Sequence, residues 1–278
     1  MRIIKKPTDE LWLLLLFIIA TVAISYVVVK FTPKKVKTVE KTLGDVSFEW
    51  EKKFKDLMIE YIKEDSRILT DEELNESIMQ IKKRLLDNIK DNPYEVEILV
   101  VHSSMTNAFA FPGGLIVIYS PLIRSTENPQ ELASVMAHEM GHVINRDPVK
   151  RLIHQFGVST VLTMLGGSGE TTVFLESIIK DFVTTRYSRS QEDKADEFAL
   201  KLLDSCSIDP MHYCNFLEKV HIEKKSDMHK IERHFMSHPD MESRIEKAKT
   251  YATKFNKDEK PFNIDWKRIK KLLPSVFD

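Results

Sequence analysis

Cysteine and glycine are scarce in this chain: 278 residues include 2 cysteines and 8 glycines. Two cysteines cannot build a disulfide framework, nor a zinc site made of four thiolates. So few glycines disfavour glycine-rich phosphate loops and β-barrels packed with tight turns. Net charge is missing too. Lys+Arg total 41 against 42 Asp+Glu, a formal net charge of -1, which leaves no global attraction to nucleic acid. No repeat of about 20–50 residues recurs, so a helical-repeat array is not expected. Apolar residues are plentiful. A hydrophobic content of 42% supports a packed core and argues against disorder as the main state.

Residues 11–29 form a run of 19 residues without a charge, LWLLLLFIIATVAISYVVV. Such a run is long enough to cross a bilayer as a helix. Trp12 and Tyr26 sit near its ends, as interfacial aromatics often do. An uncleaved single-pass anchor is the expectation. The rival is a cleaved signal peptide, with Arg2, Lys5 and Lys6 before the run and Ala20 or Ala23 near a cut. Against it, the run is long for a signal peptide and Lys-rich sequence follows directly. No cysteine lies near the end of the run, which excludes a lipoprotein anchor. Lys30, Lys34, Lys35 and Lys37 follow the run, so flanking charge leaves its orientation undecided. The expected organisation is a tail at 1–10, an anchor at 11–29, a linker at 30–44, a main domain at 45–256 and a tail at 257–278.

Along the main domain, Trp50, Phe54, Leu57, Met58 and Tyr61 recur at helical spacing and predict a helix over 46–62. Thr70 with Glu73 predicts a capping-box start for a second helix through about residue 91. Its stripe is Leu74, Ile78, Ile81, Leu85 and Ile89. Asn92-Pro93 breaks the pattern, and 94–101 and 115–119 are β-rich. Pro112-Gly113-Gly114 predicts the turn of a hairpin. Asn128, Pro129 and Glu131 form a strong helix start, with Glu131 placed to close a capping box. From there to about residue 252 the pattern is mostly helical, with breaks near 147–148, 166–169, 209–210 and 238–239. The apolar stretch 158–165 is too short to span a membrane and is expected to pack in the core. Residues 257–278 read as a peripheral tail with one short helix. The fold class is mainly α with a small β-hairpin or sheet (α+β).

The helix starting after Asn128 carries His138-Glu139-Met140-Gly141-His142. Two histidines four apart share one helical face, so their imidazoles can converge on one metal ion with Glu139 beside it. Zinc wants nitrogen and oxygen ligands near tetrahedral geometry, with one position left for water. The acidic stretch at 192–197 offers a third ligand. Glu192 and Asp196 are one turn apart, so one carboxylate can bind metal while the other orients a ligand imidazole. Spacing alone does not choose between Glu192, Asp193, Asp196 and Glu197. Cys206 and Cys214 flank Asp209-Pro210 at an expected helix–helix corner, either paired or as two separate core thiols. Met140 and Met164 are expected as core fillers.

Four motifs occur in order: NAFAFPGG at 107–114, HEMGH at 138–142, SRSQEDKAD at 188–196 and SHPDMESRI at 237–245. Together they resemble the HtpX- and CAAX-prenyl-protease-like zinc metallopeptidase family. The likeness is closest to its BepA- and LoiP-like members and to its mitochondrial inner-membrane quality-control members. That resemblance implies a zincin-like metallopeptidase domain holding one zinc ion per subunit, of the gluzincin type. It implies His138, His142 and Glu192 as zinc ligands, Glu139 as general base, and Asp196 as the acid that orients a zinc-bound histidine. His238 is implied near the metal, stabilising an oxyanion or binding zinc reversibly. Arg244 has a transition-state or a structural role. The hairpin strand at Asn107, Ala108 and Phe109 would pair with an extended substrate near the scissile bond through main-chain hydrogen bonds; ordinary hairpin packing is the alternative. The implied partners are unfolded or misfolded proteins and, through the anchor, a membrane, with the catalytic domain in the periplasm or an equivalent organelle space. The alternatives are a non-catalytic chaperone or scaffold, and a processing protease for one specific peptide.

Overall fold

The structure, a computed structural model, describes residues 43–163, 171–225 and 241–275. The apolar run at 11–29, most of the linker, the breaks expected at 166–169 and 238–239, Met164 and His238 lie outside the described residues. Among the described residues no helix is long and apolar enough to cross a membrane.

Helix α1 (Phe48–Asp65) begins where the Ser47 hydroxyl accepts the Trp50 N–H at 3.1 Å. It buries Trp50, Phe54, Met58 and Ile62 along one stripe. Helix α2 (Glu72–Leu86) is capped by Asp71 rather than Thr70, with the Asp71 carboxylate accepting the Leu74 N–H at 3.0 Å. An anionic cap satisfies the free N–H and also complements the positive end of the helix dipole. The helix stops at Leu86, short of the expected end, and the chain turns through Asp91 in the left-handed conformation (φ 53°).

Three strands follow: β1 (Glu97–Val101), β2 (Ala108–Phe111) and β3 (Leu115–Tyr119). Their order is β1-β3-β2, with β1 parallel and β2 antiparallel to β3. The expected hairpin is thus β2–β3, turning at Pro112-Gly113-Gly114. Gly113 has φ 80°, and a Cβ there would lie 2.3 Å from the Glu51 carbonyl oxygen, so only glycine fits. Alternate residues face opposite sides, and both sides are covered. Val100, Ala108, Ala110, Ile116 and Ile118 join one core, while Leu99, Phe109, Phe111, Leu115 and Val117 join the other.

After α3 (Ser120–Ser125) comes α4 (Pro129–Ile144), buried from Pro129 through Val143. Asn128 caps it by accepting the Glu131 N–H at 2.8 Å. Glu131 does not close the box onto Asn128. Its carboxylate accepts the Glu127 N–H at 2.8 Å and the Lys219 ammonium at 2.7 Å. The chain continues through α5 (Asp147–Phe156), α6 (Val158–Thr163), α7 (Thr171–Thr184), α8 (Arg189–Ser205), α9 (Met211–Lys225), α10 (Met241–Ala252) and α11 (Trp266–Leu272). Helices α1, α5 and α7 cover one face of the sheet, and α2, α4, α8 and α9 belong to the core on the other. The core packing expected for 158–165 holds at Val161, whereas Leu162 is 40% exposed. Helix α11 is not peripheral: Trp266 and Ile269 are buried in the main core. Cys206 and Cys214 are two separate buried thiols. Met140 is a core filler, 1% exposed.

Among the described residues, helices α4 and α8 form the most extensively packed helix pair. Gly141 permits this, since a Cβ there would stand 2.9 Å from the Ala195 Cα. At the α4–α5 corner, Arg146 takes the left-handed conformation (φ 55°). Its guanidinium bonds the buried Glu51 carboxylate at 2.6 Å, and Glu51 also accepts the Gly113 N–H at 3.2 Å and the Tyr94 hydroxyl at 3.1 Å. One carboxylate therefore ties α1 to the hairpin tip and to the corner that introduces Asp147.

Candidate metal centre

On α4, His138 and His142 point the same way, and their Nε2 atoms stand 3.1 Å apart. Helix α8 brings Glu192 against both. Its Oε1 lies 3.4 Å from His142 Nε2, and its Oε2 lies 3.6 Å from His138 Nε2. Tetrahedral donors about 2.0–2.2 Å from a zinc ion would stand about 3.3–3.6 Å from one another. These three side chains are the group of His, Cys, Asp and Glu residues that could hold a metal among the described residues.

The other ring nitrogens are engaged, which frees the Nε2 lone pairs to converge. His138 Nδ1 lies 2.9 Å from Asp196 Oδ1, and His142 Nδ1 lies 3.0 Å from Asp147 Oδ2. Asp196 accepts from the Tyr213 hydroxyl at 2.6 Å and from Arg244 Nε and Nη2, each at 2.8 Å. Arg244 Nη1 reaches Glu192 Oε2 at 2.9 Å, and its Nη2 donates to the Tyr213 hydroxyl at 2.6 Å. Asp147 also pairs with Lys150 at 3.0 Å. The Tyr187 ring stacks on His142 with centroids 3.9 Å apart.

Charge supports the same fit. Glu139, Asp147, Glu192 and Asp196 bring four buried carboxyl groups to the site against one buried guanidinium, Arg244, and the half-buried Lys150 ammonium on Asp147. A divalent cation offsets such an imbalance, which is costly away from water. The histidines respond to this field in opposite ways. Burial pushes His138 below the ordinary imidazole value, with the Asp196 hydrogen bond opposing. Burial also works against the charged form of His142, yet hydrogen bonds to Asp147 and Glu192 outweigh it and hold the ring up at about 9. Burial would raise Asp196, but the Arg244 guanidinium holds it well below the usual carboxylate range.

The structure thus brings together His138, His142, Glu192, Glu139, Asp196 and Arg244, while His238 lies outside the described residues. It also distinguishes the four candidate acids. Asp193 pairs outward with Lys247 and Glu197 with Lys201, both exposed, leaving Glu192 against the imidazoles and Asp196 behind His138. Asn107, Ala108 and Phe109 lie at the start of the edge strand β2, which packs beside α4. That edge is not exposed as expected, because Ala108 through Phe111 are all buried. The Phe111 ring stacks on Phe182 at 4.8 Å, and Phe109 packs edge-on against Tyr119. The Tyr119 N–H bonds the Asn107 carbonyl, so strand alternation turns the main-chain groups of Ala108 and Ala110 away from β3. The Ala108 N–H donates to the Asn107 side chain at 2.9 Å.

Sequence reasoning missed Asp147, Tyr213 and Tyr187. Asp147-Pro148 was legible only as a helix break, and the two tyrosines carry no motif of their own. Replacing Asp147 by Ala is expected to lower the apparent affinity for a divalent metal about 10- to 100-fold, because His142 loses the acceptor that sets its tautomer. Competition with a metal-binding dye measures this, and unchanged affinity would contradict the role.

Residues 71–252 match Peptidase family M48. The chain is 28% identical over 229 residues to the beta-barrel assembly-enhancing protease of Yersinia pestis, a match covering 74% of this chain and 45% of that protein. The protein of the same name from Escherichia coli is 26% identical over 209 residues, covering 71% and 42%. The mitochondrial metalloendopeptidase OMA1 of Schizosaccharomyces pombe is 23% identical over 214 residues, covering 75% and 63%. The matches thus span less than half of the two bacterial relatives and under two thirds of the yeast one.

Proposed function

This chain belongs to peptidase family M48, and from that membership we propose that it is a zinc-dependent endopeptidase. Its substrates are unfolded or damaged proteins, cleaved in quality control at a bacterial envelope or an equivalent organelle membrane. The observation that carries the reading is the convergence of His138, His142 and Glu192 at zinc-like spacing, with Glu139 fully buried on the same helix. The names of the relatives support the setting, since they speak of β-barrel assembly and of a mitochondrial endopeptidase.

His138, His142 and Glu192 would hold one zinc ion. When bound, zinc supplies Lewis acidity, making water a nucleophile near neutral pH and polarising the scissile carbonyl. Glu139 takes the proton of the attacking water and delivers it to the leaving amine. Asp196 and Asp147 hold the two imidazoles in the tautomer that presents Nε2. Arg244 is a positioning residue, because its donors are spent on Asp196, Tyr213 and Glu192. His238, by its place in the SHPDMESRI motif, stabilises the oxyanion. The substrate runs as an extended strand beside Asn107, Ala108 and Phe109, where the main-chain groups of Ala108 and Ala110 turn away from β3; pairing there requires that this buried edge be uncovered. Residues 11–29 anchor the domain to the membrane.

Metal removal tests the reading. Digestion of casein by the full chain is expected to fall to background after chelation, with zinc loss verified by metal analysis, and to return when zinc is restored. Digestion that continues at full rate without metal would overturn it. A metal-loaded protein that binds unfolded chains without cutting them would favour a chaperone instead.

A further inference from the structure

Beside the metal centre lies a cleft of about 600 Å³ that the mechanism above does not use. Its walls come from α5, the end of α7 and the segment after it, and the first two turns of α8. Five basic side chains line it, Lys150, Arg151, His154, Arg186 and Lys194, against a single carboxyl group, Asp181. Part of that charge is already matched. Lys150 pairs with Asp147, and Arg151 lies close enough to Asp181 to act on its titration. Arg186 and Lys194 are exposed and make no ion pair among the described residues. Among the described residues, the cleft therefore carries two cations without an ion-pair partner.

The wall is built rather than incidental. Tyr187 is 5% exposed, and its ring stacks on His142 on one side while the Arg151 guanidinium covers it at 3.9 Å. Arg151 also lies 4.7 Å over the Phe182 ring and donates to the Thr185 carbonyl at 3.3 Å. Only the thickness of one aromatic ring separates the cleft from a proposed metal ligand. An extended peptide advances roughly 3.3–3.6 Å per residue, so the span from His142 to Arg151 across the Tyr187 ring, two contacts of 3.9 Å, is about two residues of an extended chain.

We propose that the cleft is a specificity subsite for a carboxylate within a few residues of the scissile bond, bound by Arg186 and Lys194. The carboxylate comes from a Glu or Asp side chain or from a substrate C-terminus. This inference rests on the endopeptidase reading for its setting, but binding tests it independently of catalysis. The probes are labelled peptides of one parent sequence, a fixed casein segment chosen without regard to cleavage, with Glu or its neutral isostere Gln at each position in turn. A second set carries a free C-terminal carboxylate or an amide. Binding to the zinc-loaded full-length Glu139→Gln protein is read by fluorescence anisotropy at low and high salt.

At one or two positions the Glu peptide, or the free acid, is expected to bind about 5-fold tighter than its neutral partner, with the advantage shrinking in high salt. The double charge reversal Arg186→Glu and Lys194→Glu is expected to abolish the preference, with its fold checked by circular dichroism. No preference at any position, or one that survives the charge reversal, overturns the subsite. Turnover of the same peptides by wild type forms the other arm. If none is cut, the endopeptidase reading fails while binding still decides the cleft; if all are cut, that reading stands whatever the cleft prefers.

Discussion

Replacing Glu192 by Ala is expected to lower zinc affinity by at least about 100-fold and to bring proteolysis to background. A lost direct donor costs more than the 10- to 100-fold typical of a supporting partner. Glu192 is 1% exposed and reaches both imidazoles, so its loss leaves two donors where three converged. Neither Asp196 nor Asp193 can replace it without undoing another contact. Asp196 is spent on His138, Tyr213 and Arg244, and Asp193 faces outward to Lys247. The substitution also removes the carboxylate that Arg244 Nη1 bonds at 2.9 Å, leaving it the Met241 sulfur at 3.8 Å, so some loss of stability accompanies the loss of metal. Metal analysis after dialysis, with a thermal melt to show that the variant folds, measures the effect. Unchanged zinc content in a folded variant would remove Glu192 from the ligand set and leave the geometry without its chemistry.

Glu139→Gln separates binding from catalysis. The residue is fully buried between the two histidines in sequence, and glutamine matches its volume, so the fold and the metal should both persist. The amide cannot accept the proton of an attacking water, and kcat is expected to fall by about 10²- to 10⁴-fold. Zinc content near that of wild type together with this loss assigns Glu139 to proton transfer. Retained turnover would contradict the role, and lost zinc would mean that the residue supports the metal instead.

Much of the site is legible in the sequence. The cap at Asn128, the proline after it and the His-Glu-Met-Gly-His spacing belong to one local element, and local rules describe such elements well. The hairpin was readable for the same reason, since Pro112-Gly113-Gly114 has the backbone that a turn between two strands needs. Errors arose where a neighbour decides. Glu131 turned to Glu127 and Lys219 because α9 places an ammonium beside it. Strand β2 does lie at the sheet edge, but its residues are buried rather than exposed, with Phe109 and Phe111 drawn into the second core.

By itself, the sequence determined the helix that carries two imidazoles on one face, the acids available one turn apart on a later helix, and the turn that makes the hairpin. All of these depend on contacts within a few residues along the chain. Tertiary structure alone decided which acid meets the imidazoles, because that choice depends on how α8 lies across α4 at Gly141. It alone brought Asp147 to His142 through the left-handed turn at Arg146, and Tyr213 and Arg244 to Asp196 from two further helices. Those partners are set by packing between elements distant in sequence, where no periodicity or spacing records which side chains will meet.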